Sequence, residues 1–197
     1  QAAEALCGVV KQKGLAILPW SENAQQFRQR VACLKEWLPE LELDDCGDEI
    51  LLASIQIWLK PSLLGKSRVD AINSTDLSEA LFSLYQWPER QLIDKLAPAF
   101  IKVPSGLERS ILYTSGSNPI LAVKLQELFG LAQSPTVANG KIVVTLHLLS
   151  PAGKPLQITQ DLKNFWNSTY AEVRKEMKIR YPRHPWPEDP WTATASH

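Results

Sequence analysis

Through the first hundred positions apolar residues recur every three or four places, the period of an amphipathic helix. Ala2, Ala5, Leu6, Val9 and Val10 predict a helix over 1–13, with Gly14 as its stop. Ser21 is placed to cap a second helix from Glu22 to about Leu38, whose face carries Phe27, Val31, Leu34 and Leu38. Pro39 ends it, and an acidic stretch from Glu40 to Glu49 follows. Ile50, Leu51, Ile55, Trp58 and Leu59 predict a third helix, closed by Pro61. Thr75 is the expected cap of a fourth, running through Leu81, Leu84 and Tyr85. Pro88 suits the first turn of a fifth, holding Leu92, Ile93 and Leu96.

Near residue 98 the period changes to two. Strand-like runs are expected at 100–103, 110–114, 120–125, 142–149 and 156–159, separated by Pro104-Ser105-Gly106, Ser115-Gly116-Ser117-Asn118, Asn139-Gly140 and Pro151-Ala152-Gly153. A short helical stretch over 126–129 falls between the third and fourth runs, an order similar to the small OB-type barrel. A last helix is expected from Tyr170 to Arg180, capped by Ser168 or Thr169, with Tyr170, Val173 and Met177 as its apolar stripe. The expected fold class is α+β: a helical half over 1–98, then a small antiparallel sheet, the long C-terminal helix and a proline-rich tail over 99–191. Residues 192–197 are expected to be a disordered end.

Composition narrows the function. The 197 residues carry 21 Lys and Arg against 21 Asp and Glu, so no global positive field steers polyanions toward the chain. Cys7, Cys33 and Cys46 lie far apart and form no C-x-x-C pair, which favours buried thiols in a reducing compartment, the cytoplasm. His147, His184 and His197 lack metal-ligand spacing. No apolar run is long enough to span a bilayer, so no membrane partner is expected. Gln1 stands where a start methionine would, which reads as a chain cut from something longer.

Candidate catalytic motifs are incomplete. Gly65-Lys66-Ser67 matches the end of a phosphate-binding loop, but Lys60 stands where that motif needs glycine and a helix precedes it in place of a strand. Asp48-Glu49 opens a helix, where negative charge complements the dipole. His147 has no recognisable acid or nucleophile in sequence around it, so a hydrolase site there needs a neighbour that only structure supplies.

The final third offers a binding surface instead. Lys163, Arg174, Lys175, Lys178, Arg180 and Arg183 crowd together with few acids. Arg174 and Lys178 are four apart, and Lys175 and Lys178 three apart, so a helix gathers them on one cationic flank. Such a flank contacts phosphates without sequence preference, or docks on an acidic protein. Among the seven tryptophans, those in the helical half are expected in the core. Trp186 and Trp191 sit in the tail, which is expected to fold back through its aromatics.

The last sixty residues resemble a known family. Leu146-His147-Leu148-Leu149-Ser150-Pro151, Gln157-Ile158-Thr159-Gln160-Asp161-Leu162, Phe165-Trp166 and Tyr170-Ala171-Glu172-Val173-Arg174-Lys175-Glu176-Met177 look like the C-terminal region of bacterial HrpB-type helicases. The tail from Arg180-Tyr181-Pro182 to Glu188-Asp189-Pro190 continues the match, as do Val103-Pro104-Ser105-Gly106 and the segment 125–131. Gly14 to Trp20 fits more loosely. The resemblance implies a DEAH-box enzyme that hydrolyses ATP with magnesium and acts on RNA. Its motor domains precede this region and are its expected partner, beside RNA or an unidentified protein. With no Walker loop, DEAH box or arginine finger here, no catalytic residue carries over, and the chain itself is expected to hold no cofactor. The expected function is a non-catalytic accessory region; the alternative is a protein-interaction module that does not touch nucleic acid.

Overall fold

Gly14 and Ser21 set the geometry of the first helices. In the computed structural model, which describes residues 1–197, α1 (Ala2–Lys13) ends at Gly14, whose φ of 85° is open to glycine at no steric cost. Ser21 accepts from the Ala24 N–H at 3.1 Å and starts α2 (Glu22–Trp37). The single helix expected over 50–59 is instead two, α3 (Asp48–Ala53) and α4 (Ile55–Trp58). Ser54 separates them: its hydroxyl donates to the Ile50 carbonyl at 2.7 Å, a back-bond that bends helices. The cap of α5 (Ser74–Phe82) is Asn73 in place of Thr75, because the Asn73 side chain accepts from the Asp76 N–H at 2.7 Å. In α6 (Trp87–Leu96) Pro88 lies in the first turn, and Glu89 reaches back to the Gln86 N–H.

These helices form one compact unit, Gln1–Ala97. Its core gathers Val10, Phe27, Val31, Leu34, Leu51, Ile55, Trp58, Leu77, Leu81 and Ile93. Trp58 is buried, donates to the Leu51 carbonyl and stacks on Trp20. Trp87, expected in the core, is 65% exposed, with the Arg90 guanidinium over its ring.

The second unit, Pro98–His197, holds the strands. β1 (Phe100–Lys102) and β2 (Glu108–Ser110) form a hairpin around Gly106. β3 (Ile120–Lys124) pairs in parallel with β6 (Thr145–Leu149), which pairs antiparallel with β7 (Pro155–Thr159). β4 (Thr136–Val137) and β5 (Ile142–Val143) make a separate hairpin. The α+β class holds, but the sheet is neither wholly antiparallel nor an OB-type barrel: three small sheets replace one. The 125–144 connection supplies the crossover that a parallel pair requires. Val144 divides the run expected over 142–149; it is buried and donates to the Pro135 carbonyl. The strand expected over 110–114 ends at Ser110, since Ile111 and Tyr113 turn into the core and Tyr113 donates its hydroxyl proton to Pro98.

The last helix starts earlier than expected. Asp161 caps it, accepting from the Asn164 N–H at 2.9 Å, so neither Ser168 nor Thr169 serves as the cap. α7 (Leu162–Asn164) passes through a π turn (Phe165–Thr169) into α8 (Tyr170–Arg180). In that turn the Tyr170 N–H bonds the Phe165 carbonyl; Trp166 and Tyr170 are buried against Phe129, and Phe165 is buried against the two of them. Of the predicted stripe, Tyr170 and Met177 are buried and Val173 is half-buried. No helix is long and apolar enough to cross a membrane.

Candidate functional site

The site is built on α8 and the tail that folds back along it. Trp186 is 5% exposed and donates its indole N–H to the Tyr181 carbonyl at 3.0 Å. Tyr170 donates its hydroxyl to the Pro187 carbonyl at 2.8 Å, and burial pushes that phenol up to about 12. The Gly130 N–H bonds the Pro190 carbonyl at 2.8 Å. Gly130 has a φ of 86°, which strains any other residue, and a Cβ there would stand 3.2 Å from the Ala193 carbonyl oxygen, a tight approach. Asp189 closes the last turn; bonds from the Thr192 hydroxyl and the Trp191 N–H hold its carboxyl below the usual range. The tail therefore clasps its own unit. Residues 192–197 run beside it, with the Ser196 N–H on the Gln126 carbonyl at 3.1 Å.

The clasp divides the six candidate cations. Arg174, only 19% exposed at its side chain, donates to the Trp186 carbonyl at 2.8 Å and pairs with Glu188 at 3.2 Å. It holds the tail and is largely spent there. Lys175 pairs with Glu172 at 2.9 Å and Arg180 with Glu176 at 3.1 Å, both exposed. Lys163, Lys178 and Arg183 are exposed and carry no ion pair. Lys163 sits at the start of α7, at the opposite end of the helical run from Lys178, so the structure does not gather all six into one patch.

Charge is nonetheless segregated along the chain. The second unit carries eleven Lys and Arg against seven Asp and Glu; the first carries ten against fourteen. A net charge of zero conceals a surplus of four cations in one unit and of four carboxylates in the other.

The remaining motifs have structural roles. Gly65 lies in a turn after the 3-10 segment Lys60–Leu63, and Lys66 pairs with Asp76 at 3.7 Å. With a 3-10 turn before it and its lysine paired, this segment does not fit the phosphates of ATP and its magnesium. His147 lies on β6 between Ala122 of β3 and Ile158 of β7, neither an acid nor a nucleophile.

A family model described as ATP-dependent helicase C-terminal, the HrpB C-terminal family, matches residues 58–190. The chain belongs to the HrpB helicase family, as its C-terminal region. It is 44% identical over 187 residues to the ATP-dependent RNA helicase HrpB of Escherichia coli (strain K12), covering 95% of this chain and 23% of that protein. A crystal structure of the E. coli DExH-box NTPase HrpB matches with a TM-score of 0.93 at 42% identity, over 99% of this chain and 24% of the other. A second, of the E. coli DEAH/RHA helicase HrpB, gives 0.79 at 41% identity, over 93% and 23%. The chain thus spans about a quarter of the length of these HrpB relatives.

Two charged residues escaped the sequence reading of this HrpB region. Glu127, 1% exposed, receives two hydrogen bonds from Arg109, both 2.8 Å, which raise the Arg109 guanidinium above its ordinary value. Arg30, 4% exposed, pairs with Asp94 and donates to the Ala97 carbonyl.

Proposed function

We propose that this region is a non-catalytic accessory part of an ATP-dependent DEAH-box helicase, which docks on the motor domains of the same polypeptide and contacts RNA through its second unit. The observation that carries the reading is the segregation of charge, four surplus cations in Pro98–His197, with Lys163, Lys178 and Arg183 left unpaired. An unpaired cation loses no partner when it meets a phosphate, and a local positive field raises the on-rate for polyanions. Lys163 and Lys178 lie roughly 22 Å apart at 1.5 Å of rise per residue, a spacing that suits a track for several nucleotides. Arg174 contributes indirectly, by fixing the tail beside the flank. The E. coli relative is described as an RNA helicase, which makes RNA the ligand class to test. ATP and magnesium belong in this reading to the motor domains, and the setting is the cytoplasm.

A second reading, a protein-interaction module, draws support from Ile179, which is 84% exposed on the same helix. Fluorescence anisotropy with single-stranded RNA separates the two. The double variant Lys178→Glu/Arg183→Glu is expected to weaken binding tenfold or more, as about 0.7 counterions are released per neutralised phosphate on a single strand. Identical titrations for variant and parent would leave the protein-interaction reading standing alone.

A further inference from the structure

A cavity of about 240 Å³ opens on the second unit beside the start of α7, where β5 contributes one apolar side chain, Val143, and the rest of the lining is polar. Its wall is held in place by Ser134, which accepts from the Leu162 N–H at 3.0 Å and donates to the Gln160 main-chain carbonyl at 2.9 Å. Gln160 donates its side-chain amide to Thr145 at 2.9 Å, which leaves its side-chain carbonyl oxygen available. Asp161 uses Oδ1 to cap the helix and keeps Oδ2 available. Two acceptors are thus aligned by structural bonds made on their other sides. Gln133 and Lys163, both exposed and without a partner, add donors to the same lining.

The volume is below the roughly 300–1,000 Å³ of sites for drug-sized ligands, so it suits one ring system. No aromatic side chain lines it, so recognition there rests on the edge of a base rather than on stacking. We propose that this cavity takes one unstacked RNA base, and that it prefers a base bearing an exocyclic amine to uracil. An amine donates to the Gln160 and Asp161 oxygens, while the ring acceptors beside it face Gln133 and Lys163. Uracil has a single N3–H, flanked by carbonyl oxygens, so it leaves at least one of the two acceptors unsatisfied and turns a carbonyl oxygen toward it, the situation in which polar sites discriminate best.

The inference rests on the RNA-contact reading above, and its test keeps the two apart. Oligocytidylate and oligouridylate of equal length carry equal charge. Anisotropy titrations with the 197-residue chain are expected to give cytidine the tighter binding by about three- to tenfold, the range of one net hydrogen bond. Asp161→Asn preserves the cap, since asparagine caps helices as well as aspartate does, but it places an amide where the free oxygen stood. It is expected to abolish the preference with little loss for oligouridylate. Equal affinities in the parent chain, or a preference that survives Asp161→Asn, would overturn the base pocket and leave the cationic contact intact. Failure of both oligomers to bind would overturn both.

Discussion

Arg109 and Glu127 show how much depends on one buried pair. The Glu127 carboxylate is removed from water and is stabilised by the two-pronged guanidinium of a strand residue. Removing that partner leaves a buried charge uncompensated, which costs on the order of 3–5 kcal/mol, toward the lower end here because Arg109 is itself 36% exposed. Arg109→Ala is therefore expected to lower the urea midpoint of the second unit sharply. Arg109→Lys should fall between, keeping charge without the planar fork. A midpoint unchanged in Arg109→Ala would contradict this assignment. Hydrophobic periodicity located the strand-like runs in which Leu121, Val123, Leu146 and Leu148 prove to be buried, but it could not locate Glu127 or Arg30. A pattern method sends every charge to solvent, and the partners lie 18 and 64 residues away, a separation that no local rule spans.

At the scale of elements, α8 and its tail were legible because their signals are local. The end of the helix at Arg180, the helical stripe and the need of Trp186 for a buried seat all follow from neighbouring residues, whereas the start at Leu162 did not. The direction of strand pairing was not, since alternation tells which face a side chain takes and says nothing of the partner strand. The same limit hid the π turn, whose cause is the aromatic cluster around Phe129. The clasp makes a definite prediction. Trp186→Ala removes a side chain 5% exposed and is expected to cost about 3–5 kcal/mol, as for other buried aromatics. It should also open the chain between Tyr181 and Trp191 to limited proteolysis while the strands stay protected. A tail that resists protease as well as the parent does would argue against the clasp.

At the scale of the whole molecule, the two units differ in charge and in chemistry. All three thiols, each buried, lie in the helical unit. Cys33 is pushed up from 9.0 to about 11, by burial first and then by Glu36. A thiol whose folded value is raised stabilises the fold below the unfolded value, and that contribution is lost as pH climbs. The melting temperature of the helical unit is thus expected to fall between about pH 9 and pH 11, and Cys33→Ser should flatten that decline. A melting temperature constant through this window would contradict it. The zero net charge visible in the sequence concealed the opposed balances of the units, because a sum over the chain discards position. Those balances, and the quarter of the HrpB relatives' length that the chain spans, underlie the accessory role proposed for it. The most direct test is the salt dependence of binding to single-stranded RNA, measured for the parent chain and for Lys178→Gln/Arg183→Gln. The account predicts a linear fall of log affinity with log salt, shallower in the variant by about 0.7 for each phosphate contact removed. Parallel lines for the two proteins, or affinity indifferent to salt, would contradict it.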